Sequence, residues 1–210
     1  MSNPAKSWQI INIKAYWRKM DRSQALLIVN QYIKNPNLIN HMYAVEAAMR
    51  FYANKLGADA DLWANTGLLH DFDWEIHPTA EDHPSKGAEI LRNLAVPEVI
   101  VRAILSHGNH DGIVRETLME KALYACDEIT GLITAVALVR PSRSLYDLEP
   151  KSVKKKWKDK AFAAGANRKE IEDGALEFGV DLWGEHVENV ILAMRTIAPQ
   201  LGLAGDLDPS

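Results

Sequence analysis

The sequence predicts an all-α fold, a single-domain helical bundle, and three observations predict it. Apolar residues recur at three- and four-residue intervals along most of the chain. Residues that start or stop helices stand at the ends of those periodic runs. No segment of useful length alternates apolar and polar residues as a half-buried strand does.

The first strong element is the stripe Leu38, Met42, Val45, Met49, Tyr52 and Leu56, which ends near Gly57. Asp59 can cap the next helix, which carries Leu62, Trp63, Leu68 and Leu69. His83-Pro84 reads as the start of a third, with Ala88, Leu91 and Leu94 on one side. Pro97 opens a fourth, with Ile100, Val101, Ile104 and Leu105. Residues 117–139 form one long central helix, stopped by Arg140-Pro141. Weaker helices follow at about 151–164, 168–178 and 184–198. The first 20 residues read as an N-terminal extension and 201–210 as a loose tail. They flank one domain over 21–200, with its core at about 38–140 and C-terminal helices at 151–198.

Bulk properties narrow the function classes. At 210 residues the chain can bury a substantial core. A net charge of −4 gives no general pull toward nucleic acid or an anionic membrane. A single cysteine, Cys126, excludes an internal disulfide and a thiolate zinc site and suits a reducing cytoplasm. The N-terminus has no apolar run or cleavage site of a signal peptide. Residues 122–139 carry only Asp127 and Glu128 as charges. With Thr130 and Thr134 among them, they read as a helix buried in protein rather than in lipid.

Ligand-type side chains then stand where apolar residues should be. His41 flanks the first stripe; His70 ends its helix beside Asp71; His107 continues the row of Ile100 and Ile104. Each alone reads more simply as a hydrogen-bonded core histidine. Asp127 is different: an isolated buried carboxylate costs several kcal/mol unless paired or bound to a metal, and its helix is the most apolar of the chain. A metal held by these histidines and Asp71 would supply the cation; a distant ion pair is the alternative. The chain's other His-Asp pair, His110-Asp111, lies in the turn-rich Gly108-Asn109-His110-Asp111-Gly112 and reads as exposed.

The order His41, His70-Asp71, Asp127, within "LINHMYAVE", "GLLHDFDWE" and "ALYACDEITGLI", resembles the HD-domain metal-dependent phosphohydrolases of the HDIG type. The resemblance covers about 38–140. It implies a helical bundle with a central metal, His41, His70, Asp71 and Asp127 as ligands, and His70 and Asp71 at the catalytic centre. His83 and His107 stand where members with two metals carry two further histidines. Imidazole and carboxylate donors suit Mn, Fe, Mg, Co, Ni or Zn, one ion or two. The expected reaction is hydrolysis of a small phosphate ester, a nucleotide, by a metal-activated water. Related helical folds with similar sites are di-iron oxygenases, and a non-catalytic nucleotide-sensing module is a third reading. No membrane or nucleic-acid partner is expected; a homo-oligomer is compatible with the sequence.

Lys86, one turn after His83, is the expected substrate phosphate contact. Asp73, Glu75 and Glu128 are candidates to orient the histidines, or plain surface carboxylates. Six lysines between Lys151 and Lys160 read as a solvated helical face, with a polyphosphate or nucleic-acid patch as the sharper reading. Trp157 reads as the anchor of that segment, His186 as exposed and structural, and His77 as a loop residue without a role.

Overall fold

The computed structural model describes residues 20–108, 112–159 and 161–206. His110-Asp111 and Lys160 lie outside them, as do the N-terminal 19 residues and the last four. The described residues are helical, and no strand occurs among them. Helix α1 spans Arg22–Tyr32, α2 Pro36–Leu56, α3 Ala60–Leu69, α4 Ser85–Asn93 and α5 Glu98–Leu105. They are followed by α6 at Leu118–Leu138, α7 at Pro150–Trp157, α8 at Arg168–Phe178 and α9 at Val187–Arg195, the last entered through a π-turn at Leu182–His186.

Helix ends follow local chemistry. Asp59 accepts the backbone N–H groups of Asp61 and Leu62 at the start of α3. Thr117 and Glu120 form a reciprocal capping box on α6. Helix α1 lies ahead of the first periodic stripe, and its start signal is a second capping box, formed by Asp21 and Gln24. The expected helix at 151–164 stops at Trp157, and residues 161–165 are turns. Trp157 packs edge-on against Trp183, with ring centres 5.2 Å apart.

Two apolar clusters divide the interior. The larger joins α2, α6, α8 and α9 through residues such as Met49, Leu123, Ile129, Ile171 and Val190. The smaller joins α1, α3, α4 and α5 through Ile28, Leu68, Phe72, Leu91 and Ile104. Helix α2 serves both, since Met42 faces the smaller cluster and Val45 the larger. The crossing of α2 and α3 is close because of one residue. A Cβ on Gly67 would lie 3.0 Å from the Val45 carbonyl oxygen and 3.1 Å from the Glu46 nitrogen. Glycine lets the two backbones meet, and His70 follows one turn later, within reach of His41. No described helix is long and apolar enough to cross a membrane.

His186 is fully buried, contrary to the expectation of exposure. Its Nε2–H donates to the Ala125 carbonyl at 2.9 Å, and its Nδ1 accepts the Tyr52 hydroxyl at 2.6 Å. Polar pairing across three elements hides the ring, and a helical wheel of its own segment contains no trace of that pairing.

Candidate metal centre

Six side chains from five places in the chain converge. His41 projects from α2, and His70 caps the C-terminus of α3 with Asp71 in the following turn. His83 precedes α4, His107 follows α5, and Asp127 sits inside α6. Their ligand atoms form two groups. In the first, His41 Nε2 is 3.0 Å from Asp127 Oδ1 and 3.2 Å from His70 Nε2, and Asp71 Oδ2 lies 3.6 and 3.4 Å from those two nitrogens. In the second, His83 Nε2 and His107 Nε2 are 3.2 Å apart, and Asp71 Oδ1 lies 3.3 and 3.5 Å from them. Asp71 belongs to both groups, one oxygen to each.

These separations suit an ion between the donors. Ligands about 2.1 Å from a metal stand about 3.0 Å apart at right angles and about 3.4 Å apart at the tetrahedral angle. The ring tautomers agree. His70 Nδ1 donates to the Gly67 carbonyl at 2.8 Å and His107 Nδ1 to the Ile104 carbonyl at 2.5 Å, each three residues back. His83 Nδ1 donates to Asp73 Oδ1 at 2.8 Å. His41 Nδ1 meets Thr130 Oγ1 at 3.3 Å, whose own proton goes to the Asp127 carbonyl oxygen. With every Nδ1 engaged, neutral rings would turn Nε2 lone pairs at each other, His41 toward His70 and His83 toward His107. Without a cation among them that arrangement is repulsive; with one it is a ligand set.

The electrostatics favour positive charge at this spot. Burial by itself would lower the His70 pKa, but the charges of Asp71 and Asp127 hold it well above the usual histidine range. His83 behaves alike: burial lowers it, and hydrogen bonds and charge from Asp71 and Asp73 carry it up to about 9. For Asp71 and Asp127 burial would raise the pKa, yet the facing histidines keep both carboxyls well below the ordinary range. Burial, then the Asp127 charge, pushes Glu128 up to about 7.

Of the outer candidates, Asp73 is fully buried and holds His83. Gly87 makes room for it, since a Cβ there would lie 2.4 Å from the Asp73 carboxyl group. Glu75 does not serve the histidines: it is exposed and accepts the backbone N–H groups of Lys34 and Asn35 just ahead of α2. Lys86 is absent from the cavity wall. It is half exposed and pairs at 2.8 Å with Asp82, four residues back in the turn that precedes α4. Sequence spacing sets Lys86 one turn from His83 but carries no information on which way that turn points. Glu128 lines the cavity beside the donors, together with Trp74, Gly131 and Glu170, which sequence reasoning missed. Trp74 stands edge-on to His83 with ring centres 4.9 Å apart. Glu170, forty-three residues from Asp127, gives no local signal at all.

Comparison with known proteins agrees on the same region. Residues 38–132 match the family model described as HD domain. Ribonuclease Y of Thermotoga maritima is 30% identical over 134 residues, 63% of this chain and 26% of that protein. Ribonuclease Y of Rhodopirellula baltica is 29% identical over 136 residues, again 63% and 26%. That of Lactobacillus gasseri is 30% identical over 96 residues, 45% and 17%. The chain thus spans about a quarter or less of the length of these curated relatives. No solved structure matches it significantly.

Proposed function

We propose, on the premise that residues 38–132 form an HD domain, that the chain is a metal-dependent phosphohydrolase with a two-ion centre acting on a small phosphate ester, a nucleotide. One observation carries this reading: the two oxygens of Asp71 face two separate donor groups, the arrangement a bridging carboxylate requires. His41, His70, Asp127 and Asp71 Oδ2 would hold one ion. His83, His107 and Asp71 Oδ1 would hold the other. The donor set admits Mn, Fe, Mg, Co, Ni or Zn. Bound divalent ions supply Lewis acidity toward phosphoryl oxygens and a water acidic enough to serve as nucleophile near neutral pH.

The chain's own residues do the rest. The four Nδ1 hydrogen bonds fix the ring planes and aim each Nε2 at its donor group. Trp74 walls the cavity at His83 and limits water there. Glu128, which lines the cavity beside Asp127, is the carboxylate this reading assigns to proton transfer. The Ribonuclease Y relatives support a phosphoester as the bond class, over the stretch they share with this chain.

The test is metal quantification on the purified protein, followed by phosphate-release and diester-cleavage screens over nucleotides and phosphomonoesters with manganese, magnesium, cobalt or iron. Two ions per chain, hydrolysis, and loss of both in Asp71→Ala are expected. A four-imidazole set with a bridging carboxylate also suits iron, so oxygen uptake is measured in parallel. Two irons with oxygen consumption and no hydrolysis would replace the proposal with a di-iron oxygenase.

A further inference from the structure

The cavity at the donors, about 430 Å³, adjoins a second of about 510 Å³, and His41 and Gly131 wall both. The second is a groove lined by Thr134 and Leu138 of α6, Asn37 and Asn40 of α2, and Leu201 and Leu203. Gly131 lies inside a 21-residue helix, where glycine weakens the element relative to alanine. Packing explains Gly67 and Gly87, but not this one. Its φ is not positive, and a Cβ added there would meet nothing within 4 Å. What the missing side chain leaves is open space at the junction of the two cavities.

Charge decides what suits that space. Among the described residues no lysine or arginine lines either cavity, and Glu128 and Glu170 add carboxylates to the wall of the first. A second phosphate would find no cation there. The groove instead offers leucine surface with the amides of Asn37 and Asn40 and the Thr134 hydroxyl, partners for rings, hydroxyls or neutral amides. We propose that this groove seats the uncharged organic part of the phosphate ester, and that Gly131 keeps it joined to the metal cavity. The substrate is then a monophosphate ester of a neutral, partly apolar alcohol rather than a polyphosphate. This rests on the phosphohydrolase reading above.

Binding, not turnover, tests it. Manganese-loaded protein is titrated calorimetrically with inorganic phosphate, methylphosphonate, phenylphosphonate and pyrophosphate. Phenylphosphonate is expected to bind about 10-fold tighter than methylphosphonate, the gain of burying a ring. In Gly131→Leu that gain falls below about twofold, with metal content unchanged and a melting temperature no lower than wild type, because leucine is the better helix former. Ala135→Trp, one turn further along the groove, erases the gain independently. A gain that is absent in the wild type, or survives both substitutions, overturns the proposal, as does pyrophosphate binding tighter than phenylphosphonate. If inorganic phosphate itself fails to bind, the phosphohydrolase reading fails and this proposal with it. Phosphate binding without the phenyl gain sinks the groove alone.

Discussion

Gly67→Ala probes how the site depends on a helix crossing that lies three to sixty residues of chain away from the donors. A methyl group at Gly67 would lie 3.0 Å from both the Val45 carbonyl oxygen and Met49 Cγ, and 3.1 Å from the Glu46 nitrogen. The Met49 side chain can swing aside; the α2 backbone cannot, so α2 and α3 must part by a few tenths of an ångström. Overpacking of this kind costs about 1–3 kcal/mol. For a domain of this size each kcal/mol lowers the melting temperature by about 2–4 °C, so a fall of about 2–12 °C is expected. The same shift separates His41 on α2 from His70 at the end of α3, whose Nε2 atoms are 3.2 Å apart, and leaves the His83–His107 pair untouched. Thermal unfolding of metal-free protein reads the first effect, and metal stoichiometry against free-ion concentration reads the second. The weaker ion should be the one held by His41, His70 and Asp127. A Gly67→Ala protein that melts with the wild type and fills both positions at the same free-ion concentration would refute the argument that this close approach sets the site.

Three further outcomes follow from named contacts. Asp73→Ala frees His83 Nδ1 and should weaken the ion at His83 and His107 by about 10–100-fold while sparing the other; equal weakening of both, by competition titration, would contradict the two-group division. Lys86→Ala should leave substrate KM within about twofold, an ordinary surface effect, because Lys86 faces Asp82 rather than the cavity; a steep rise in KM would return it to the site. Burial lowers the pKa of His186 below its unfolded value of 6.5, so the unfolded chain takes up a proton that the native one refuses. That contribution to stability is complete above the unfolded pKa and is lost as pH falls through 6.5 toward the depressed native value. His186→Gln, although less stable because Tyr52 and Ala125 lose their partner, should show a shallower fall in denaturant midpoint between about pH 7 and pH 5. Parallel pH curves for the two proteins would show that His186 charges freely in the fold.

The sequence alone determined what depends on neighbours along the chain. Helix α2 was legible from its +4, +3 stripe, α3 from its Asp59 cap, and α6 from an apolar run between Thr117 and Pro141, because hydrogen-bonded turns and caps are local. The donor types were legible too, since imidazole and carboxylate on apolar faces carry a desolvation cost that calls for a partner. Tertiary structure alone decided which donors meet, that Asp71 turns one oxygen to each group, that His186 is buried and Lys86 turned away, and that Trp74, Glu170 and Gly131 border the cavity. The reason is the scale of the geometry. A shift of a few tenths of an ångström between α2 and α3 is invisible to periodicity, yet it separates donors 3.2 Å apart from donors that cannot share an ion.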